Sequence, residues 1–579
     1  MEQESPRYRI ALDDFRRARR KAALQEIISR LTGQSNALLS FEETRQRLKA
    51  SGEETHGLES IPLDAIIGSV GRYTEFNRNF LPRRDTQSSR WAKVKSVLRD
   101  LDEMPPIQVY QIGEAYFVLD GNHRVSIARE RGLTHMQAYV TEIHTKVSLT
   151  PETDFFDLVL KAEYAEFLAN THLDESCPQA DLSTTAPGSY KILEKHIDLH
   201  RQTMSEKSGE DISIQDAASR WCHDVYLPVI KTIQSRGILR GFPRRTETDL
   251  YVWISQHQEM LQKNLGWSVD TDAAAADLVD QRGGGIKRIL ARVAGRIRAG
   301  LTPDLLVPGP QPGMWRKRQS KARELGKLFS HILVPLSGEE QSWQVLEQAI
   351  QVGRYEESTL LGLHILSDED ERESDAVRTI ADQFKARCAE AGLPGEFAVH
   401  VGGISSTINE RARWSDLVLL HLAHPPEAQI ASRMGSGVRS LIQRCPRPVL
   451  TVPRVPEKLE RFLVAYDASP KATEALYMAA YFAGRWKVSL VVLTISENSN
   501  KPPWAAFLAK RYLDSQNISA RLIHKEGAVA ASILEVVEEE KIDLILMGGY
   551  SRKPVAEVIL GSSLDEVLRV VRQPIFICR

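Results

Sequence analysis

An internal repeat that fills residues 328–579 is the feature that most constrains the fold of this 579-residue chain. The segment HILVPLSGEEQSWQVLEQAI at 331–350 aligns with RFLVAYDASPKATEALYMAA at 461–480, a shift of 130 residues. Nearer the end of each copy, RPVLTV at 447–452 aligns with QPIFIC at 573–578, a shift of 126 residues. Self-similarity over such a length indicates two copies of one folding unit.

Each copy alternates short apolar runs with amphipathic helices. Continuous β-branched runs flanked by helices are typical of a parallel sheet that is covered on both faces. We therefore predict two doubly wound parallel-sheet domains in tandem, at 328–455 and 456–579. The two copies are expected to pair with each other as an intramolecular pseudo-dimer, or with a second chain as a homodimer.

Two motifs in the second copy carry a family resemblance. Its first strand, in FLVAYDAS, ends at Asp467. After the fourth apolar run, MGGYSRKPVAEVILGSS separates Gly548 from Ser551 by two residues, and nine further residues precede Gly561. The combination resembles the universal stress protein (UspA-like) family. That family has an Asp after strand one, then Gly-x-x-Gly, nine residues and Gly-Ser/Thr after strand four.

The resemblance implies a nucleotide ligand, and ATP, with or without Mg²⁺, is the expected cofactor. In ATP-binding members the Asp holds the adenine side and the Gly/Ser elements hold the phosphates. Glycines let a backbone approach phosphate closely, and helix N-termini bind anions. Ser551 replaces the second Gly, so it either crowds a phosphate or hydrogen-bonds it. The predicted contacts are Asp467, Met547, Gly548, Ser551, Gly561, Ser562 and Ser563. The alternative is that Asp467 and Ser562 only cap helices.

The first copy departs from this pattern. Ser337 replaces the Asp, and His421 and His424 stand where the second copy has its glycine turn. Of the family motif, the first copy retains only Gly435 and Ser436, which align with Gly561 and Ser562. We predict a degenerate, structural copy. No metal site is predicted at the two histidines, because no nearby Cys or Asp completes a ligand set.

The N-terminal half contains a second candidate site. PIQVYQI at 106–112 and AYFVLD at 115–120 predict two strands joined by a hairpin turn at Gly113 and Glu114. VLDGNHRVSIARERG at 118–132 predicts a strand, a tight turn and a helix closed by a glycine. Gly121 permits the bend, Arg124 offers a bidentate phosphate donor, and His123 is a candidate acid, base or ligand. An ordinary turn with Asp120 as a helix cap is the alternative.

Residues 58–146 resemble the ParB/sulfiredoxin-like fold, whose members bind nucleotide phosphates at a Gly-x-x-Arg turn. Gly121 and Arg124 match that turn. Asn122 occupies the position of the catalytic Cys of sulfiredoxins, which argues against sulfinic-acid repair.

The Asp-Gly-x-His-Arg form looks most like the free-serine-kinase branch. In that branch an Asp and a remote Glu assist phosphoryl transfer. Asp120 matches the Asp, His123 would join it in a catalytic role, and Glu75 is a guess for the Glu.

The remaining segments complete a multidomain α/β chain. We predict a basic helical segment at 1–57, a helical domain at 147–299 and a basic Pro/Gly linker at 300–327. Ser213 and Asp216 form a capping-box pattern inside the helical domain. The prolines and glycines of the linker prevent a continuous helix, so we expect the two halves to be joined flexibly.

Composition excludes several function classes. The 75 Lys+Arg residues balance 76 Asp+Glu residues, so a uniformly basic nucleic-acid binder is not expected. No apolar run approaches the ~20 residues of a membrane span, and the polar start MEQESPRYRI is unlike a secretory signal. Five scattered cysteines without a CxxC pair argue against a zinc ribbon or disulfide scaffold and fit a cytoplasmic protein.

Three functions follow, in order of preference. The first is a nucleotide-binding stress or signalling protein in which ATP acts as a ligand that shifts populations. The second is a small-molecule kinase built on Asp120, His123 and Arg124. The third is a DNA-associated regulator that would use the basic stretches Arg16–Lys21 and 282–327, for which the sequence offers no recognition helix.

Overall fold

The computed structural model describes residues 6–32, 36–97, 104–282, 313–318, 327–422, 437–453, 458–496, 504–550 and 562–578. The chain forms two compact units, residues 1–256 and 257–579. Residues 257–282, which the sequence analysis assigned to the helical domain, therefore lie in the C-terminal unit. No helix within the described ranges is long and apolar enough to span a membrane.

A mixed sheet forms the centre of the N-terminal unit. Its strands are β1 (Leu39–Ser40), β2 (Gly52–Pro62), β3 (Ile66–Ser69), β4 (Ile107–Ile112), β5 (Ala115–Asp120) and β6 (His135–His144). The spatial order is β1-β3-β5-β4-β6-β2. The predicted hairpin turn is confirmed, because Ile112 pairs with Ala115 across Gly113, which has a φ of +59°.

Helices cover this sheet and extend beyond it. The first four are α1 (Pro6–Thr32), α2 (Phe41–Arg47), α3 (Ser88–Val97) and α4 (Asn122–Glu130). The basic helix α1 packs on its own unit, with the Phe15 ring 5.8 Å from the Trp91 ring and Asp14 paired with Lys95 at 2.7 Å. One face of α1 is therefore used for packing inside the unit.

The helical part follows β6. It consists of α5 (Phe155–Thr171), α6 (Leu173–Ser176), α7 (Ser189–Ser208), α8 (Ile214–Trp221), a π-helical turn (Cys222–Tyr226), α9 (Leu227–Ser235) and α10 (Glu247–Leu265). The predicted cap of α8 is confirmed, because Ser213 Oγ accepts a hydrogen bond from the Asp216 amide at 3.1 Å. The sequence analysis expected no disulfide, but Cys177 and Cys222 are bonded. The two cysteines lie 45 residues apart, so no short Cys spacing motif predicts that they pair.

Ten described strands form one sheet in the C-terminal unit. They are β7 (His331–Pro335), β8 (Thr359–Leu366), β9 (Gly395–Val401), β10 (Leu417–His421), β11 (Val449–Val452), β12 (Arg461–Ala465), β13 (Ser489–Ser496), β14 (Ala520–Glu526), β15 (Leu544–Gly548) and β16 (Ile575–Cys578). The spatial order is β14-β13-β12-β15-β16-β11-β10-β7-β8-β9. Each half is parallel, and the halves meet where β11 pairs antiparallel with β16.

The helices of this unit are α11 (Thr271–Arg282), α12 (Met314–Arg318), α13 (Glu340–Glu356), α14 (Asp375–Glu390), α15 (Ile404–Arg411), α16 (Gly437–Arg444), α17 (Pro470–Arg485), α18 (Trp504–Ser515), α19 (Val529–Glu539) and α20 (Ser563–Val570). Most strands of this sheet are buried along their length, as the apolar runs predicted, whereas the edge strands β9 and β14 are largely half-buried or exposed.

Part of the predicted flexible linker is packed. The Trp315 side chain is buried, and its ring stacks 5.7 Å from that of Phe329. Arg316 donates two hydrogen bonds to Glu474, at 2.8 and 2.9 Å. A large indole and a bidentate ion pair fix α12 on the C-terminal unit. The rest of the predicted linker, apart from Gly313 and Lys327, lies outside the described residues.

Candidate functional site

The predicted nucleotide site lies at the carboxyl ends of two adjacent parallel strands. Strand β12 pairs with β15 in a register that sets Val464 opposite Leu546. Asp467, which follows β12, and Gly548, which ends β15, therefore lie at the same edge of the sheet. Ligands in open α/β sheets bind at this kind of edge.

The Asp467 side chain is exposed at this edge. Its Oδ1 accepts a hydrogen bond from the Ser469 amide at 2.8 Å, which forms a tight turn before α17. Between them Ala468 has a φ of +62°, in the left-handed region. Such a conformation costs a non-glycine residue roughly 1–3 kcal/mol, and strain of this kind is common at ligand sites.

Close backbone packing requires glycine at position 548. A Cβ atom there would lie 2.9 Å from both the Ala472 amide nitrogen and the Lys471 Cβ, in the first turn of α17. The glycine turn after β15 is thus seated against the helix that follows Asp467. Met547, just before the turn, is buried. Lys471 is a cationic neighbour of the turn that the sequence analysis did not single out.

Two further predicted phosphate contacts, Ser562 and Ser563, lie at the start of helix α20. Ser562 caps it, because its Oγ accepts a hydrogen bond from the Leu564 amide at 3.2 Å, and Ser563 is the first helical residue. Ser562 therefore caps α20, as the alternative raised for it states, whereas α17 is capped by Ser469 and not by Asp467. Ser551 and Gly561 lie outside the described residues.

The first half of the sheet has the same loop with different chemistry. Ser337 Oγ accepts a hydrogen bond from the Glu339 amide at 3.3 Å, and Gly338 has a φ of +89°. His421 ends β10, with its Nδ1 3.1 Å from the carbonyl oxygen of Val452. An imidazole therefore stands where the second half has a glycine. His424, Gly435 and Ser436 lie outside the described residues.

In the N-terminal unit the predicted strand, turn and helix are confirmed as β5, Gly121 and α4. Gly121 has a φ of +112°, and a Cβ there would lie 2.4 Å from Ile107 Cγ2, so glycine is required. Its position as N-cap provides no side-chain hydrogen bond to α4. The first amides of this helix are therefore left for other partners.

Arg124 is held by the protein itself. Its guanidinium donates to the carbonyl oxygens of Pro105 at 2.9 Å and Pro106 at 2.6 Å, and to Asp120 Oδ2 at 2.6 Å. These contacts fasten α4 to the start of β4. In this arrangement Arg124, predicted as a phosphate donor, and Asp120, predicted as a base, form an ion pair.

The histidine and asparagine of the turn are buried with polar atoms unsatisfied. His123 is 7% exposed and Asn122 is 5% exposed. Within the described part of the chain, both ring nitrogens of His123 and Oδ1 of Asn122 lack a hydrogen-bond partner. The Phe76 ring packs edge-on against the imidazole at 5.3 Å. Buried polar groups without partners are rare and call for an explanation such as a ligand.

Charged groups surround this imidazole. Burial, together with the positive charges of Arg90 and Arg72, lowers the pKa of His123 to about 4, and the charge of Glu75 opposes this shift. Glu75 accepts a hydrogen bond from Gln87 Nε2 at 2.8 Å and lies 3.5 Å from Arg72. Glu75, named above for the remote Glu of the kinase branch, is thus one of the charged groups that act on His123. The sequence analysis did not identify Arg90.

No group of three or more His, Cys, Asp or Glu side chains suited to a metal ion occurs within the described ranges. In the helical part, His196 Nδ1 lies 3.2 Å from the Tyr251 hydroxyl.

Comparison with known proteins identifies one part of the chain. Residues 458–579 match the universal stress protein family. A universal stress protein of Synechocystis sp. is 24% identical over 193 residues, which cover 33% of this chain and 67% of that protein.

Two solved structures are similar as well. A universal stress protein from Archaeoglobus fulgidus has 19% sequence identity and a TM-score of 0.35, covering 44% of this chain and 97% of that one. A universal stress protein in complex with cAMP has 20% identity and a TM-score of 0.19, covering 21% of this chain and 97% of that one. Residues 458–579 thus form a C-terminal universal stress protein domain.

Proposed function

We propose that this protein is an ATP-binding protein of the universal stress type, with its nucleotide site in residues 458–579. The observation that carries the proposal is the meeting of Asp467 and Gly548 at one sheet edge. Asp467 would hold the adenine side of the nucleotide, which is the role of the equivalent Asp in ATP-binding members of the family that the sequence resembles. Gly548, Ser562 and Ser563 would face the phosphates, with Ser551 and Gly561 completing the set.

The chemistry of these residues fits a bound nucleotide better than a consumed one. A backbone glycine turn and a helix N-terminus offer N–H donors to phosphate oxygens. Mg²⁺ would arrive with the ATP phosphates. We therefore propose that ATP acts as a ligand that biases the conformation of the protein.

Isothermal titration calorimetry of the full chain with ATP, and separately with cAMP, tests this proposal. Asp467→Ala should weaken ATP binding about tenfold or more, since a hydrogen bond to a charged group contributes about 1.5–3 kcal/mol. Ser337→Ala, at the equivalent position of the first half, is the matched control and should bind normally. Equal affinity of wild type and Asp467→Ala, or equal losses in the two variants, would contradict the proposal.

A second site is favoured by the unsatisfied ring nitrogens of His123. We propose that the N-terminus of α4 binds a phosphate group, with Arg72 and Arg90 supplying positive charge. Because the pKa of His123 is lowered to about 4, its imidazole is neutral at pH 7 and can donate one hydrogen bond and accept another. A phosphoryl-transfer enzyme built on Asp120 and His123 is the alternative function for this site.

Two measurements separate these alternatives. Inorganic phosphate should shift the ring resonances of His123 in the NMR spectrum of the full chain, and Arg90→Gln, which removes a positive charge beside the imidazole, should weaken that response. Continuous release of ADP from ATP, abolished by Asp120→Asn, would favour the kinase. Unchanged His123 resonances at high phosphate concentration would argue against the anion site.

A further inference from the structure

A buried charge cluster joins the two halves of the C-terminal sheet beside the proposed nucleotide site. Arg439 of α16 and Asp565 of α20 form an ion pair, and the side chains of both are 1% exposed. The Tyr550 hydroxyl donates to the other carboxylate oxygen of Asp565 at 2.6 Å. The Arg439 guanidinium also lies 4.5 Å from the centre of the Tyr550 ring.

Arg439 and Asp565 are equivalent residues of the two copies. They are 126 residues apart, the same shift that aligns 447–452 with 573–578. In the antiparallel pairing of β11 with β16, Leu450 faces Phe576, and these two residues are also separated by 126. A local twofold axis therefore passes through this pair. An arginine on one side of the axis meets an aspartate on the other.

The cluster holds both structural elements that carry the proposed phosphate contacts. Tyr550 comes directly after the glycine turn of Gly548. Asp565 lies in the first turn of α20, three residues after Ser562. One guanidinium from the first half thus contacts a residue of each element.

We propose that Arg439 is a positioning residue for the nucleotide site of the second half, acting through Asp565 and Tyr550. The inference rests on the proposed ATP site. It assigns a role to the first half, which lacks the Asp and the glycine turn. The first half supplies the Arg439 guanidinium, which would hold the phosphate-binding edge of the second half in place.

Physical reasons favour a specific coupling between Arg439 and the nucleotide site, rather than a contact that only holds the two halves together. A buried carboxylate that loses its cation becomes an uncompensated charge, so the surrounding elements shift or take in water. Networks of buried hydrogen bonds respond as a unit. The opposite charges also select the partner, because pairing equivalent halves of two copies would bury Arg439 against Arg439 or Asp565 against Asp565.

Calorimetric titration of the full chain with Mg-ATP tests the coupling. Tyr550→Phe removes one hydroxyl and keeps the ring, and Arg439→Lys keeps the charge. Arg439→Met removes the charge, and about a tenfold loss of affinity is expected for it. Arg439→Lys should recover part of the loss. The matched control is Arg387→Met, which breaks an ion pair between the half-exposed side chains of Arg387 and Glu347 in the first half.

The double variant Arg439→Met/Tyr550→Phe separates positioning from general destabilisation. If both residues act through Asp565, the double variant should bind ATP about as weakly as Arg439→Met alone. Circular dichroism at the titration temperature checks that each variant is folded. Wild-type affinity in folded Arg439→Met and Tyr550→Phe, or multiplying losses in the double variant, would overturn the inference alone. Absence of ATP binding by the wild type would overturn the proposed site and this inference together.

Discussion

The indole nitrogen of Trp486 donates a hydrogen bond to Oε1 of Glu356 at 2.7 Å, across the junction of the two halves of the C-terminal sheet. The two residues are 130 apart and therefore occupy equivalent positions at the ends of α13 and α17. Glu356 also accepts from the Tyr481 hydroxyl at 2.8 Å and from the Leu328 amide at 2.9 Å. One carboxylate thus satisfies several donors at the junction.

We expect Glu356→Ala to lower the free energy of unfolding of the C-terminal unit by about 3 kcal/mol, because buried donors lose their acceptor. Chemical denaturation of the full chain, followed by tryptophan fluorescence, measures it. The neighbour Glu357 pairs with Lys327 but its side chain is 73% exposed, so Glu357→Ala is the control and should change the stability little. Equal effects of the two substitutions would contradict a special role for Glu356.

Alkaline pH should destabilise the same junction. Burial, together with the negative charge of Glu356, raises the pKa of Tyr481 well above its usual value of 10.0. Above pH 10.0 the unfolded chain releases the phenolic proton, whereas the folded chain retains it. The contribution of Tyr481 to stability is therefore complete below pH 10.0 and falls as the pH rises further. Unfolding measured between about pH 9 and pH 11 should show this fall. Tyr481→Phe should flatten it, whereas Tyr355→Phe, an exposed tyrosine of the same unit, should not.

Ala468→Gly should stabilise the protein by up to about 1 kcal/mol. The residue is held at a φ of +62°, which glycine adopts without the steric cost that alanine bears. The equivalent residue of the first half is already a glycine, Gly338. Ala475→Gly, in the interior of α17, is the control and should destabilise by about 1 kcal/mol or more. Thermal unfolding distinguishes the two; a loss of stability in Ala468→Gly would mean that its backbone is not strained.

Acid should act on the N-terminal unit through His123. Its pKa is lowered to about 4 in the folded protein, from 6.5 when unperturbed. Between these values the unfolded chain binds the proton and the folded chain does not, so stability is present above pH 6.5 and is lost as pH falls towards 4. NMR titration of the ring should give the low value directly. His123→Phe should reduce the acid dependence, while His135→Gln, an exposed histidine, should leave it unchanged.

The sequence alone determined the local structure and the architecture of each half. Apolar runs between amphipathic helices predicted parallel strands, because such strands are buried on both faces. The hairpin at Gly113 and the cap at Ser213 were readable because turns and caps depend on residues a few positions apart. The motifs around Asp467 and Gly548 predicted a candidate site at one edge of the sheet, because ligands in open α/β sheets bind at the carboxyl ends of the strands.

Which distant groups meet could be seen only in the folded chain. The antiparallel contact of β11 with β16, the burial of Trp315 and the bond between Cys177 and Cys222 all join segments far apart in the chain. The opposite charges of Arg439 and Asp565 were visible in the aligned copies. Their importance follows from the twofold junction, which buries both side chains, because a charge removed from water is costly unless it is paired.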